Sequence, residues 1–331
     1  MAAPALVRAL RTATRIPGAE APYDTAHVTV RYPALAARTD AERMSGRLAA
    51  DPAGGPYPVV VLLSGVNVAA EAYAWLATTL VESGFVAVTY DWVGELFAGE
   101  HGLTPGVDLG AVGPDTYGRR PTTQALGPVL ETVGRLGHHG PLAGLLEPGA
   151  VGLFGHSAGG TVALQSARPA WFDQVRAVVT YGAHTMASQQ LGHAAGTVLP
   201  VAVEVPVLLV GGSADGVVAA SALRYGGDAG DPDHDPIAAT WRDAVPATTD
   251  AWLVTLAGAG HMLAAHPDDP TTARGFLEEA TGGDAAALRA TLAETVATFL
   301  RAHVRGEAEA KDALELLVEQ PGPQIAEIRR R

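Results

Sequence analysis

The chain has 331 residues, no cysteine, and 35 acidic against 22 basic residues, which gives a formal net charge of −13. The lack of cysteine excludes disulfides and thiolate catalysis. The negative charge disfavours nucleic acid and anionic membranes as partners, because both attract basic patches. No apolar run is long enough to span a membrane, and residues 1–20 lack the apolar core of a signal peptide, so we expect a soluble, cytoplasmic protein.

Hydrophobic patterning predicts eight β-strands. Residues 26–32 alternate apolar and polar side chains, as a half-exposed strand does, and residues 46–51 are a candidate partner for that strand. The six other predicted strands are continuous apolar runs, typical of buried parallel strands, at 59–65, 85–92, 150–156, 175–182, 205–212 and 251–258.

Helical spacing predicts helices between and after these strands, at 70–84, 122–136, 159–167, 217–225, 284–304 and 307–320. Gly84 is expected to end the first helix, and Asp284 is expected to cap the start of the longest one. The alternation of strand and helix predicts an α/β fold with an eight-stranded, mostly parallel sheet and helices on both of its faces.

We expect the whole chain, 1–331, to form a single domain with its core at about 26–304. The segment 226–250 is polar and joins two strands that end at the same edge of the sheet, so we interpret it as a possible lid. Residues 305–331 are expected to form a helical extension outside the core.

The sequence GHSAGG places Ser157 between Gly155 and Gly159, directly after a predicted strand and before a predicted helix. A G-x-S-x-G motif in this strand–turn–helix context is typical of a nucleophilic serine. The glycines let neighbouring chain approach closely, and the N–H of Ala158 lies at a helix N-terminus, where it can stabilise an oxyanion. The alternative interpretation is a Gly-Ser turn that only starts a helix.

A serine nucleophile needs a base and an acid that orients the base, and in this arrangement they follow in the order serine, acid, histidine. Asp215 and His261 fit that order, because each follows a predicted strand at the edge of the sheet where Ser157 is expected. Asp215 could instead cap a helix, and His261 could be a surface histidine. His266 is the alternative base, whereas His156 is expected to pack beside the nucleophile.

The second oxyanion donor is expected in the turn after the first buried strand, where the N–H of Val66 is the first candidate and Asn67 the second. We predict Asn67, Trp92 and Trp241 as substrate-binding residues. Trp92 follows a strand at the active edge, and Trp241 lies in the possible lid. Further aromatic candidates for an apolar pocket, for which core packing is an equal alternative, are Tyr90 and Phe97.

With these motifs the chain resembles the α/β-hydrolases. GHSAGG is similar to the nucleophile turn of the chlorophyllase, dienelactone hydrolase and bacterial polyester hydrolase branch. Residues 57–92 resemble that branch's oxyanion strand, helix and next strand, and AGAGHMLAAHPDD is similar to the histidine loop of chlorophyllases. The resemblance covers about 26–304. It implies that Ser157 is the nucleophile, Asp215 the acid and His261 the base. It also implies that Val66 and Ala158 are the two oxyanion donors.

The sequence departs from that branch at three points. Ser64 and Gly65 stand in place of the commoner His-Gly pair, and Ala158 stands where plant chlorophyllases carry arginine. The cysteines of secreted polyester hydrolases are missing. These departures argue against chlorophyll or a secreted polymer as the substrate, but they do not argue against ester hydrolysis.

A second acidic motif spaces Asp231, Asp233 and Asp235 like the start of a calcium-binding loop. Pro236 and Arg242 occupy the positions at which such a loop needs glycine and glutamate. A solvated acidic loop is therefore the preferred interpretation. The sequence predicts no catalytic metal, since no histidine pair with ligand spacing occurs, and it predicts no cofactor.

These features together predict a serine esterase that cleaves a small-molecule or lipid-like carboxylic ester through an acyl-enzyme. Acyl transfer to another acceptor, amide cleavage and cofactor-free perhydrolysis would use the same three residues. A non-catalytic binding protein with a hydrolase fold is the alternative from another class. Such proteins usually lack one member of the triad, and this chain has a candidate for each.

Overall fold

The computed structural model describes residues 6–96, 99–226, 234–267, 269–271 and 282–331. Its strands are β1 (Leu6–Arg15), β2 (Thr25–Ala34), β3 (Tyr57–Leu63), β4 (Val86–Asp91), β5 (Val93–Glu95), β6 (His101–Leu103), β7 (Leu146–His156), β8 (Val175–Tyr181), β9 (Val207–Gly212), β10 (Ala251–Leu256) and β11 (Ile325–Arg330). Its helices are α1 (Asp40–Ser45), α2 (Ala74–Glu82), α3 (Leu126–Leu136), α4 (Ala158–Ser166), α5 (Gly216–Ala219), α6 (Ala222–Tyr225), α7 (Pro236–Ala239), α8 (Ala285–His303) and α9 (Ala308–Glu319).

Within the described residues, nine strands form one sheet in the order β1-β2-β4-β3-β7-β8-β9-β10-β11, and β5 pairs separately with β6. The six central strands from β4 to β10 pair in parallel. The outer pairs β1/β2, β2/β4 and β10/β11 are antiparallel. The chain is thus a mixed α/β protein with a large, mostly parallel sheet, as predicted, but the sheet has nine strands rather than eight.

Both faces of the sheet are buried, which explains why the central strands are continuous apolar runs. On β3, Val61 packs into the same apolar cluster as Val133 of α3 and Val162 of α4. The next side chain along the strand, Leu62, points to the opposite face and joins a second cluster. That cluster is covered by α2, α8 and α9, and Leu314 of α9 belongs to it.

One predicted strand is wrong, and four strands were missed: β1 and β11 of the large sheet, and the short pair β5 and β6. Residues 46–51 follow α1 and contribute only an isolated bridge between Ala50 and Ala34. The partner of β2 is instead β1, which pairs with it over ten residues from Leu6 to Arg15. β1 and β11 lie at the two ends of the sheet, where one long side of each strand has no neighbouring strand among the described residues. Their arginines and exposed positions conceal the apolar pattern on which the prediction relied.

The predicted helices are found with shifted ends. A 3₁₀ turn at Ala70–Tyr73 precedes α2, and Gly84 follows that helix with a φ of +90°. Residues 217–225 form two short helices, α5 and α6, instead of one. Asp284 caps α8 as predicted, since its side chain accepts the N–H groups of two residues in the first turn.

The C-terminal segment 305–331 is more than a helical extension. Ala310 and Leu314 of α9 are buried against α8, and the chain then returns to the sheet as β11. The sheet therefore extends on both sides beyond the expected core of 26–304. In the part of the chain that the structure describes, each helix is too short or too polar to cross a lipid bilayer.

We predict that Phe299→Ala lowers the free energy of unfolding by about 3–5 kcal/mol, because Phe299 is completely buried between α8 and the sheet and truncation leaves a cavity. Leu316→Ala on α9 is the control, since that side chain is 52% exposed, and its effect should stay within about 0.5 kcal/mol. Urea denaturation measures both variants. Equal losses in the two variants would contradict this account of the core.

Candidate active site

Ser157 occupies a strained turn between β7 and α4. Its φ of +54° and ψ of −125° lie outside the regions that residues with a side chain normally adopt, and such strain costs about 1–3 kcal/mol. The surrounding backbone holds the turn. The N–H of Ser157 donates to the carbonyl of Tyr181 at 2.9 Å, and its own carbonyl accepts the N–H groups of Gly160 and Thr161.

Two glycines permit this turn by letting backbone segments touch. A Cβ on Gly155 would lie 2.5 Å from Gly160 Cα and would overlap the carbonyl of Gly159. A Cβ on Gly159 would lie 2.5 Å from the carbonyl oxygen of Ser64 and would overlap that of Leu63. The turn that contains Ser157 is therefore in direct contact with the end of β3, and β3 is the neighbour of β7 in the sheet.

Asp215 and His261 come together as predicted from the sequence. His261 Nδ1 and Asp215 Oδ2 are 2.8 Å apart, and both side chains are buried. The other carboxylate oxygen, Oδ1, accepts the N–H of Val218 at 2.8 Å and so caps α5. Because the carboxylate accepts from Nδ1–H, the remaining ring nitrogen, Nε2, carries the lone pair. Asp215 is thus both a helix cap and the partner of a histidine.

Ser157 and His261 line the same cavity, but the hydrogen bond between them is not formed. Within the described residues Ser157 Oγ makes no hydrogen bond. Catalytic hydrogen bonds of this kind are often long before substrate binds and shorten in the reacting complex. The alternative base, His266, is exposed, does not line this cavity and is anchored by its backbone N–H to the carbonyl of Ala72.

Both predicted oxyanion donors, Val66 and Ala158, line the cavity beside Ser157. Among the described residues, neither backbone N–H has a hydrogen-bond acceptor. The second candidate, Asn67, is excluded as a backbone donor, because its N–H donates to the carbonyl of Leu103 at 2.8 Å. Its φ of +59° turns the chain sharply at this point, and the N–H of Val66 is left as the candidate donor from this turn.

The cavity has a volume of about 480 Å³ and extends along α4 away from Ser157. One face of that helix lines it, through Ala158, Thr161, Val162 and Gln165, which are spaced three and four residues apart. About half of the other described side chains of the wall are apolar, among them Val66, Leu109, Val112, Met186, Leu199 and Val217, and the polar ones include Glu95, Gln190, His193 and Arg224. The cavity therefore suits an apolar group attached close to Ser157.

None of the three predicted substrate-binding residues lines this cavity. Asn67 lies in the turn behind Val66. Trp92 is buried, donates from Nε1 to the carbonyl of Tyr23 at 2.7 Å, and borders a separate polar cavity of about 440 Å³. Trp241 lies under the guanidinium of Arg331, 4.6 Å from its ring centre. The prediction that these three residues bind substrate is therefore wrong. Tyr90 is likewise buried outside the cavity. Phe97 lies outside the described residues.

The possible lid is also corrected in the part that the structure describes. Asp235 accepts the N–H of Ala238 and caps α7, which leads into a π-helical turn at Thr240–Ala244. Ile237 and Ala244 are buried in the core beside β9. Residues 234–250 are therefore packed on the sheet and do not cover the cavity.

The remaining part of the possible lid, residues 227–233, lies outside the described residues. It includes Asp231 and Asp233 of the calcium-like motif. In the described ranges, no group of three or more histidine or acidic side chains could hold a metal ion.

Three histidines that were not predicted to contribute belong to the cavity wall, His156, His184 and His193. Burial and the neighbouring His261 hold the pKa of His156 well below its ordinary value of 6.5. Burial likewise lowers the pKa of His184 to about 4, against an opposing effect of Asp215. His184 Nδ1 accepts the N–H of Met186 at 3.2 Å, so a neutral His184 carries its proton on Nε2. The sequence around His184, which follows β8, contains no motif that indicated a position in the cavity wall.

A comparison with protein-family models found no match, and a comparison with curated protein sequences found none either. The chemistry of the site therefore has to be inferred from its own geometry.

We predict that Gly159→Ala prevents normal assembly of the site, because its methyl group would collide with backbone carbonyls that cannot rotate away. The variant should lose several kcal/mol of stability or the reactivity of Ser157. Gly134→Ala is the matched control. Gly134 lies within α3 with open space around it, so the substitution should stabilise the protein by about 0.5–1 kcal/mol. Urea denaturation of both variants tests this, and a fully stable, reactive Gly159→Ala would refute the contact.

We predict that His184 makes stability depend on pH between about 6.5 and 4. In this range the unfolded chain binds a proton at this residue and the folded chain does not, so the free energy of unfolding falls as the pH is lowered. Wild type should lose up to about 1.4 kcal/mol per pH unit more than His184→Gln. Urea denaturation at pH 7 and pH 5 measures the difference, and identical losses would contradict burial of a neutral His184.

Proposed function

We propose that this chain is an α/β-hydrolase that cleaves carboxylic esters through an acyl-enzyme, with Ser157 as nucleophile, His261 as base and Asp215 as acid. The observation that carries the proposal is the 2.8 Å hydrogen bond between His261 and Asp215, beside the cavity that Ser157 lines. The three residues follow β7, β9 and β10, in the order serine, acid, histidine, which is the order of that fold.

In the proposed reaction, Ser157 Oγ attacks the carbonyl carbon of the ester while His261 Nε2 accepts its proton. Asp215 stabilises the imidazolium that forms, because its carboxylate holds Nδ1–H. The negative charge on the former carbonyl oxygen is stabilised by the N–H groups of Val66 and Ala158. The bond to the alcohol then breaks, His261 returns the proton to the leaving oxygen, and the acyl group remains on Ser157.

Water completes the cycle by the same steps. His261 removes a proton from the attacking water, the second tetrahedral intermediate uses the same two N–H groups, and Ser157 Oγ leaves with the proton from His261. Acyl transfer and perhydrolysis differ only in the acceptor at this stage. Product analysis therefore separates them from hydrolysis.

The cavity supports an ester with an apolar, lipid-like chain. Its wall along α4 is formed by small or apolar side chains next to the nucleophile, with Gln165 two turns further on. Burial of each methylene group of a substrate contributes about 0.8 kcal/mol. Within the space available, a longer chain should therefore bind more tightly. The resemblance of the motifs to the chlorophyllase and dienelactone hydrolase branch is consistent with an ester substrate.

A non-catalytic binding protein is the second class of function. It would require no strained serine and no histidine–carboxylate pair beside the cavity, and such strain usually persists at sites where it is used. The presence of all three residues therefore favours an enzyme.

We predict that a fluorophosphonate probe labels wild type and fails to label Ser157→Ala, and that wild type hydrolyses p-nitrophenyl esters. The rate should rise with acyl chain length from acetate and then fall once the chain exceeds the cavity. Asp215→Asn should keep the helix cap but lower kcat by about 10²–10⁴-fold, through a wrongly oriented imidazole.

Asp235→Asn is the matched control, because Asp235 caps α7 in the way that Asp215 caps α5 but, among the described residues, has no hydrogen bond or ion pair to a histidine. Its kcat should equal that of wild type. Labelling of Ser157→Ala to the level of wild type, or equal kcat in the two aspartate variants, would refute the proposed triad.

A further inference from the structure

A chain of buried hydrogen bonds connects the oxyanion turn with the loop of the catalytic histidine. The N–H of Gly65 donates to Tyr73 Oη at 2.9 Å, and Tyr73 Oη is 2.8 Å from His156 Nδ1. His156 Nε2 is in turn 3.0 Å from the backbone carbonyl of His261. The chain therefore runs from the residue before Val66, past the nucleophile, to the residue that acts as base in the proposed function.

We propose that Tyr73 and His156 are positioning residues. They fix the positions of the oxyanion turn and of the catalytic histidine relative to each other and to Ser157. This inference rests on the proposed function. It assigns no proton transfer to either residue, because among the described contacts neither side chain has a hydrogen bond to Ser157 Oγ or to the His261 imidazole.

The direction of every bond in this chain follows from its two ends. The Gly65 N–H can only donate and the His261 carbonyl can only accept. His156 therefore carries its proton on Nε2, and its Nδ1 lone pair accepts the O–H of Tyr73. Tyr73 Oη then accepts one bond and donates another, so every group in the chain is satisfied. Hydrogen bonds in such buried chains strengthen one another.

A neutral His156 is the form that fits. A second proton on Nδ1 would leave the O–H of Tyr73 without its acceptor, in a region where both side chains are almost completely buried. The lowered pKa of His156 agrees with this arrangement. Burial also raises the pKa of Tyr73 above its ordinary value of 10, so its hydroxyl keeps the proton that it donates.

Packing leaves little freedom for the parts that the chain connects. The ring centres of His156 and His261 are 4.9 Å apart. A Cβ on Gly65 would lie 3.2 Å from His156 Nδ1 and 3.4 Å from Ser157 Cβ. A shift of His156 would therefore be passed to the turn that contains Val66 as well as to the base. Misplacement by about 1 Å can cost a factor of about 100 in rate.

The test compares Tyr73→Phe with Tyr32→Phe. Both tyrosines are buried to the same extent, and Tyr32 also uses its hydroxyl in a buried hydrogen bond, to the carbonyl of Leu48 at 2.7 Å. The two variants lose the same atoms. With a p-nitrophenyl ester, Tyr73→Phe should lower kcat by about 10–100-fold with KM changed less than about twofold, whereas Tyr32→Phe should keep the kcat of wild type.

A second pair of variants tests His156. Gln can still donate to the carbonyl of His261, whereas Leu cannot, so His156→Gln should retain more kcat than His156→Leu. If Tyr73 and His156 act as a unit, adding Tyr73→Phe to His156→Leu should lower kcat little further. Fully multiplicative losses, or a Tyr73→Phe variant as active as Tyr32→Phe, would overturn the inference.

A measurement without substrate separates this inference from the proposed function. The ¹⁵N NMR spectrum of the wild-type His156 imidazole should show a protonated Nε2 and an unprotonated Nδ1 at neutral pH. The opposite tautomer, or a doubly protonated ring, would overturn the hydrogen-bond chain even in an active esterase. Wild-type protein with the expected tautomer but no hydrolysis dependent on Ser157 would instead refute the proposed function.

Discussion

Contact between the backbone of Gly159 and the carbonyl oxygens at the end of β3 sets the geometry of the candidate site. It is possible only without a Cβ. Through it the first turn of α4 lies against the turn that follows β3, so the N–H groups of Ala158 and Val66 reach the same cavity. β3 and β7 are adjacent, parallel strands. The sheet order therefore brings together two candidate oxyanion donors that are 92 residues apart in sequence.

Asp215 shows how one side chain can satisfy two interpretations of a sequence. Its position after β9 and before a short helix was compatible with a cap or with a catalytic acid. Oδ1 caps α5 and Oδ2 holds His261. The cap fixes the carboxylate, and a fixed carboxylate can orient an imidazole. The two interpretations are therefore complementary, because the structural role prepares the chemical one.

The parallel central strands could be predicted from the sequence, because burial on both faces of the sheet produces continuous apolar runs. The candidate site residues that follow the carboxyl ends of these strands could be predicted with them. The end strands could not, since Leu6–Arg15 and Ile325–Arg330 bury few of their side chains. The prediction of the substrate-binding residues was also wrong. Trp92 and Trp241 are placed by partners far away in sequence, Tyr23 and Arg331, and no local pattern reveals such contacts.

The hydrogen bonds of His156, His184 and His261 explain why, among these three, only His261 suits the proposed role of base. Both ring nitrogens of His156 are used, by Tyr73 and by the carbonyl of His261. The Nδ1 lone pair of His184 accepts a backbone N–H, so its Nε2 carries the proton. His261 alone among these three has a carboxylate on Nδ1, which leaves the lone pair of Nε2 to accept a proton. The suitability of His261 as the proposed base thus depends on its backbone and buried partners, because these three imidazoles differ in what each ring nitrogen contacts.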